Sequence, residues 1–224
     1  MIFTAHSYYS LHYGSMSVEK IVTQAKACGL QTLVLADINN TSAITDFIRE
    51  CKAHNIKPLA GVACYDDEKL KYLLLAGNND GFREINDFLS EINIKGLTLP
   101  ERAPEFEAVF VIYPMDIFHI TDKNYQIPNP KKIRDPEETQ NRLVKHGQSQ
   151  QSALNTGQFK KPSMVSQLRS NEFIAVRYHE LNKLLISPLR HYPQKLLAWH
   201  NATFADTKDY ELHRHLRAID NNCL

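Results

Sequence analysis

An α/β architecture with its sheet rolled into a closed barrel is what this sequence predicts. Three observations carry that expectation. Short apolar runs alternate with stretches whose apolar residues recur at three- and four-residue steps, the order of a parallel sheet joined by helices. Some of the runs are apolar continuously, as strands covered on both faces are. Seven such runs follow one another, each ending in a polar loop, which favours closure over an open doubly wound sheet.

Ile2 and Phe3 begin the first strand, which runs into the polar loop His6-Ser-Tyr-Tyr-Ser10 and on to Gly14. A strand opening straight into a His-bearing loop is where α/β barrels keep their chemistry, because side chains converge at the carboxyl ends of parallel strands. Val18, Ile21, Val22, Ala25 and Cys28 share one helical face, with Ser17 placed to cap its start and Gly29 to end it. Thr32-Leu-Val-Leu35 reads as a doubly buried strand ending in Ala36-Asp-Ile-Asn-Asn40. Thr41 or Ser42 is the expected cap of a second helix carrying Ile44, Phe47, Ile48 and Cys51. The third strand is read over Ile56–Val62, followed by a loop over Ala63–Glu68, and the fourth over Tyr72–Ala76. Phe82, Ile85, Phe88, Leu89 and Ile92 line a further helix, and a Pro-punctuated connection over Leu97–Phe106 leads to a fifth strand at Ala108–Ile112. Phe173–Val176 and Leu196–Trp199 supply the sixth and seventh, with helices expected at Tyr178–Ile186 and Lys208–Ile219.

A chain of 224 residues is long enough for one domain with a full core. Its formal net charge of +1 leaves no bulk electrostatic footprint for nucleic acid or an acidic membrane. The four cysteines are scattered without a CxxC pair, and three sit in apolar surroundings, which implies reduced, buried thiols and a cytoplasmic compartment. No signal-peptide pattern opens the chain, and no run approaches the roughly 18 apolar residues of a membrane span. The rhythm breaks over about 116–170, where Gln, Asn, Lys, Pro and Ser dominate. The expectation is a single domain over 1–224 interrupted there by a flexible, low-complexity insertion. Its basic residues Lys131, Lys132, Arg134, Lys160 and Lys161 are interleaved with acids and amides rather than forming a stripe.

The loops line up with a known pattern. His6-Ser-Tyr-Tyr-Ser10 followed by Gly14, Leu33-Val-Leu-Ala-Asp37 with Asn39, and Ile56-Lys-Pro-Leu-Ala-Gly61 together resemble the PHP domain. Leu75-Ala-Gly-Asn-Asn-Asp-Gly-Phe82 and the closing Ala198–Ile219 segment narrow the resemblance to the PHP domain that opens the alpha subunit of bacterial DNA polymerase III. It covers roughly residues 2–115 and 170–221. The resemblance implies a (β/α)7 distorted TIM-like barrel, in whose active members a cluster of two or three Zn, Mn or Mg ions hydrolyses phosphoesters. Such chemistry needs His and carboxylate ligands to hold metals that neutralise phosphate and activate water.

This chain departs from that ligand pattern at nearly every position. The His-x-His of the first strand is Thr4 and His6, and the Asp before Gly14 is Tyr13. The second strand ends Asp37-Ile38 in place of Asp-His, with Asp37 a loop-shaping residue. The Glu after Gly61 is Ala63, the His heading the fourth strand is Lys71, and the closing Asp-x-His falls on Asn201 and Thr203. One His does not hold a cluster, so no metal or other cofactor is expected, and a cationic Lys71 beside such a site would repel a metal. His6 is expected as a rim residue held by hydrogen bonds, and Asp37 as an acceptor of backbone N–H bonds or a helix cap. His200, His213 and His215 are close in sequence, but the last two point to different helix faces. His119, His146, His179 and His191 are scattered, Trp199 reads as core or interface, and Arg214 and Arg217 as a basic helix edge.

The resemblance therefore implies a catalytically inactive structural or docking barrel at the head of a replicative polymerase subunit. Its implied partners are the remainder of that subunit and the proofreading exonuclease subunit, with DNA met only through the polymerase and no membrane. Two enzymatic alternatives stand beside it. One is a free-standing PHP phosphoesterase of the histidinol-phosphatase or nuclease type. The other is a non-metal barrel enzyme using Lys71 as amine or His6 as base, which requires a strongly depressed Lys71 pKa.

Overall fold

The computed structural model of the protein describes residues 1–117 and 168–223. Most of the expected insertion, with Lys131, Lys132, Arg134, Lys160, Lys161, His119 and His146, lies outside the described residues. The elements are β1 (Ile2–Ala5), α1 (Val18–Ala27), β2 (Thr32–Ile38), α2 (Ile44–Ala53), β3 (Lys57–Asp66), β4 (Lys69–Ala76), α3 (Asn79–Lys95) and β5 (Val109–Pro114). Beyond the insertion come β6 (Glu172–Val176), a single 3₁₀ turn at Tyr178–Glu180 running into α4 (Leu181–Ile186), β7 (Leu196–Ala202) and α5 (Thr207–Asp220). The seven strands form one closed barrel in sequence order, with β7 pairing back onto β1.

The barrel is not wholly parallel, as the alternation of strands and helices leads one to expect. β4 runs antiparallel to both β3 and β5. The reason is the length of the connection: only Asp67 and Glu68 separate β3 from β4, and a parallel pair needs a crossover of a dozen residues or more. Asp67 takes the left-handed conformation, φ 50°, that lets so short a turn close. The strands consequently extend through the stretch over Ala63–Glu68 that reads as a loop in sequence.

Two apolar layers sandwich the strands. Inside the barrel lie Val34, Ala36, Ala63, Leu70, Leu73, Leu75, Ile112, Ala175 and Trp199. Outside, Ala5, Leu33 and Leu35 pack against Val18, Ile21, Val22 and Ala25 of α1 and Ile44, Phe47 and Cys51 of α2. β2 thus buries both faces, which is why its run is apolar without alternation. Each fully buried Leu or Phe contributes about 2 kcal/mol of transfer free energy. Gly61 keeps the interior small enough to close, since a Cβ there would meet the Leu75 Cδ2 at 2.7 Å and the Leu74 carbonyl oxygen at 3.0 Å.

The helix ends show where local rules held and where they yielded. Ser17 caps α1, its hydroxyl accepting from the Lys20 N–H, and Gly29 follows the helix at φ 72°. Cys28, expected on the buried face, is instead the exposed C-cap residue. Of the four thiols only Cys51 and Cys64 are buried. Neither Thr41 nor Ser42 caps α2, which starts at Ile44 without a side-chain cap. Asn40 Oδ1 accepts the Ser42 N–H, and the Thr41 hydroxyl is drawn off to Asn86 on α3 at 2.6 Å. A tertiary partner has outcompeted the local one. No helix among the described residues is long and apolar enough to cross a membrane.

The connection over residues 97–108 is pinned to the outer wall by a buried carboxylate. Glu172, read as lying just before the sixth strand, begins β6 and is fully buried. Its oxygens accept from Arg102 Nη2 at 2.7 Å, the Arg169 N–H at 2.7 Å and the Tyr113 hydroxyl at 3.1 Å. Burial pushes the Glu172 carboxyl up, but the Arg102 guanidinium and the Arg169 N–H outweigh it and hold it below the usual range. Burial and the Glu172 charge push the Tyr113 phenol up to about 12. Removing the carboxylate takes a buried acceptor away from two guanidinium groups, a backbone N–H and a phenol. Glu172→Ala is expected to lower the unfolding free energy by about 3 kcal/mol in urea titration, with Leu97–Ala108 losing amide protection first.

Candidate functional site

The mouth of the barrel is built on the loop between β1 and α1, and that loop hangs from one carboxylate. Asp37, near the carboxyl end of β2, accepts from the Ser7 N–H at 2.6 Å, the Ser7 hydroxyl at 2.7 Å and the Ser10 hydroxyl at 2.7 Å. It takes the role of loop shaper and does not cap α2. Burial raises its carboxyl above the ordinary aspartate value even against the Ser7 and Ser10 hydrogen bonds. The loop then returns so tightly that a Cβ on Gly14 would lie 1.8 Å from the Ser7 carbonyl oxygen. Only glycine allows that crossing. The result holds His6 at the mouth and folds Tyr13 over it.

His6 is almost fully buried, and its Nδ1–H donates to the Ala36 carbonyl at 2.6 Å. A carbonyl only accepts, so the contact fixes the Nδ1–H tautomer. Burial lowers the His6 pKa to about 4, against the Ala36 bond that raises it, and the charge of His213 lowers it further. His6 is therefore neutral at pH 7. Tyr13 meets it edge to face, ring centres 5.3 Å apart, and lies 6.4 Å from the Tyr65 ring. Thr4 accepts from Trp199 Nε1 at 2.8 Å and donates to Asn201 Oδ1 at 2.9 Å, tying β1 to β7. Asn201 Nδ2 reaches the Thr203 hydroxyl at 3.5 Å. Ile38 and Ala63 stand side by side in register at the ends of β2 and β3. The mouth positions are thus joined to one another by hydrogen bonds and ring contacts.

Lys71 is the exception. The β3–β4 register shifts between Cys64 and Tyr65, so that Cys64 faces Tyr72, Tyr65 faces Leu70, and Lys71 is the extra residue of a β-bulge. Leu70, Leu73 and Leu75 stay in the barrel interior. Lys71, which strict alternation would place among them, ion-pairs with Glu101 of the outer connection and lies 3.4 Å from Asp66. The expectation that its charge stands beside the mouth is corrected by that bulge. The Glu101 bond raises its pKa although burial works against it, the reverse of what an amine nucleophile needs.

Other cations reach the mouth. Arg177, one residue past β6, stacks over Trp199 at 5.0 Å, and its buried Nε has no hydrogen-bond partner. Arg217 of α5 lies 5.7 Å over the Tyr13 ring and ion-pairs with Glu68 of the β3–β4 turn. Arg177 directly follows an apolar run, the same signal that singles out His6, so it was open to sequence reading. Arg217 was not, since its neighbour at three residues' spacing, Arg214, lies over Tyr210 instead. Of the three C-terminal histidines, His213 alone meets the mouth, donating to the Tyr13 carbonyl at 2.6 Å, while His200 packs on Phe3.

These residues do not fit a metal cluster. Thr4, Tyr13, Ile38, Ala63, Asn201 and Thr203 offer no carboxylate, imidazole or thiolate, and Lys71 lies outside. Among the described residues no group of three or more His, Cys, Asp or Glu is placed to hold an ion.

Residues 3–123, more than half of the chain, match the family profile of the PHP domain. The chain belongs to the PHP family. It is similar to the DNA polymerase III subunit alpha of Staphylococcus aureus (strain COL), with 32% identity over 95 residues, 41% of this chain and 9% of that protein. The same subunit of Treponema pallidum is 27% identical over 114 residues, 45% of this chain and 10% of its own length. The PHP chain described here thus spans about a tenth of these relatives. An amidohydrolase from Chromobacterium violaceum, solved with bound sulfate and no metal, superposes with a TM-score of 0.45 at 10% identity, over 93% of this chain and 88% of its own.

His6 makes the PHP barrel's stability depend on pH with a definite sign. Its pKa is about 4 in the fold against 6.5 for the free side chain. Between those values the unfolded chain binds more protons, so the contribution is complete above pH 6.5 and is lost as pH falls towards 4. The loss is about 3 kcal/mol. Asp37 works in the opposite direction at the acid end, so the readout is the difference between two proteins. Urea titrations of the parent chain are expected to steepen below pH 6.5 relative to those of His6→Gln; parallel curves would contradict a buried neutral His6.

Proposed function

We propose that this PHP barrel is the N-terminal domain of a DNA polymerase III alpha subunit, serving there as non-catalytic architecture in replication. The observation that supports the reading most is the filled mouth. Where active PHP enzymes hold metals, Thr4 bridges Trp199 and Asn201, and Tyr13 covers a neutral His6. Such a mouth stabilises the barrel by packing and hydrogen bonding and leaves no ligand set for a cluster. Polymerisation itself belongs to carboxylates elsewhere in such a subunit. The partners on this reading are the remainder of the alpha subunit and the proofreading exonuclease subunit, in the bacterial cytoplasm, with DNA reached only through the polymerase.

The experiment is elemental analysis of the purified chain after dialysis against Mn²⁺ and Zn²⁺, with a phosphoester assayed in parallel. Metal far below one ion per chain and no hydrolysis are expected. Two tightly held ions with turnover would overturn the proposal and establish the alternative, a free-standing PHP phosphoesterase.

A further inference from the structure

α1, α2 and α3 are each fastened by buried apolar side chains, such as Val22, Phe47 and Ile85. α5 is fastened differently. Of its fourteen residues only Asp209 is buried, while Tyr210, Leu212 and Ile219 remain exposed. What holds it against the rest of the protein is a row of polar contacts. Lys20 of α1 reaches Asp206 at 2.8 Å and Asp209 at 2.6 Å at its start. His213 donates to the Tyr13 carbonyl at its middle, and Arg217 pairs with Glu68. His12 Nδ1 lies 3.2 Å from Asp220 at its end. Apart from the buried Asp209, the ion-paired groups are partly or largely exposed, where each pair adds little to stability.

The same helix covers the mouth. His213 meets the Tyr13 ring edge-on at 4.9 Å and Arg217 lies across it, while beneath Tyr13 are His6 and Tyr65. An element with few buried apolar contacts and many exposed polar ones belongs to the low-stability end of a fold and opens locally. We propose that α5 is a lid on the barrel mouth, latched by these polar contacts, which opens as a unit while the barrel and the β1–α1 loop held by Asp37 stay folded. Opening uncovers the Tyr13 ring and, beside it, Tyr65. The inference stands whether or not the barrel ever holds a metal.

Native-state hydrogen exchange on the full chain tests it. Amides of Thr207–Asp220 are expected to exchange at least about 100-fold faster than those of β2 and β3. Glu68→Gln should speed α5 roughly three-fold further, leaving β2, β3 and residues 8–16 unchanged. Asp206→Asn, which keeps a competent helix cap but removes the charge facing Lys20, should do the same from the other end of the helix. Exchange of α5 at the rate of β2 and β3 overturns the lid, as does acceleration confined to its last turn, which is fraying. Variants that leave α5 exchange unchanged overturn the polar latch.

Discussion

The mouth of this barrel depends on a single buried carboxylate. Asp37 receives three hydrogen bonds from Ser7 and Ser10, and burial is costly enough to raise its pKa in spite of them. The fold tolerates that cost because the bonds hold a loop that could not otherwise keep its shape. With Ser7 and Ser10 tied down, Gly14 passes against the Ser7 carbonyl, Tyr13 is carried over His6, and α1 starts at the capped position after Ser17. Buried polar groups are retained where every member is satisfied, and here each of the two hydroxyls has its acceptor.

What fills the mouth differs in kind from what a PHP metal centre requires. Ion clusters need several imidazole and carboxylate donors converging on one space. This mouth has a neutral imidazole, two phenols, a hydroxyl–amide pair and guanidinium groups stacked on rings. Stacked guanidinium groups place positive charge at this mouth.

The outer wall carries a second set of polar anchors, and these explain why the Pro-punctuated connection lies where it does. Glu172 takes Arg102, Arg169 and Tyr113, while the bulge in β4 turns Lys71 out to Glu101. Both anchors join the 97–108 segment to the outer faces of β4, β5 and β6. A connection without apolar periodicity of its own stays on the barrel through charge-assisted hydrogen bonds.

Much of the barrel was legible in the chain because its determinants are local or periodic. The continuous run at Leu33–Leu35, the cap at Ser17 and the stop at Gly29 each act within a few residues, and the structure keeps them. The PHP pattern and the lack of carboxylate, imidazole and thiolate groups at Thr4, Tyr13, Ile38, Ala63, Asn201 and Thr203 are likewise statements about residue identity. Tertiary structure decided the rest. A two-residue turn reversed β4, a bulge moved Lys71 from one face of the wall to the other, and Asn86 drew Thr41 away from its helix. It also brought Arg177, Arg217 and His213 to the mouth from segments over a hundred residues from Tyr13. Side-chain type and spacing are written in the sequence. Strand direction, register and long-range partnership emerge only when closing the barrel sets one choice against another.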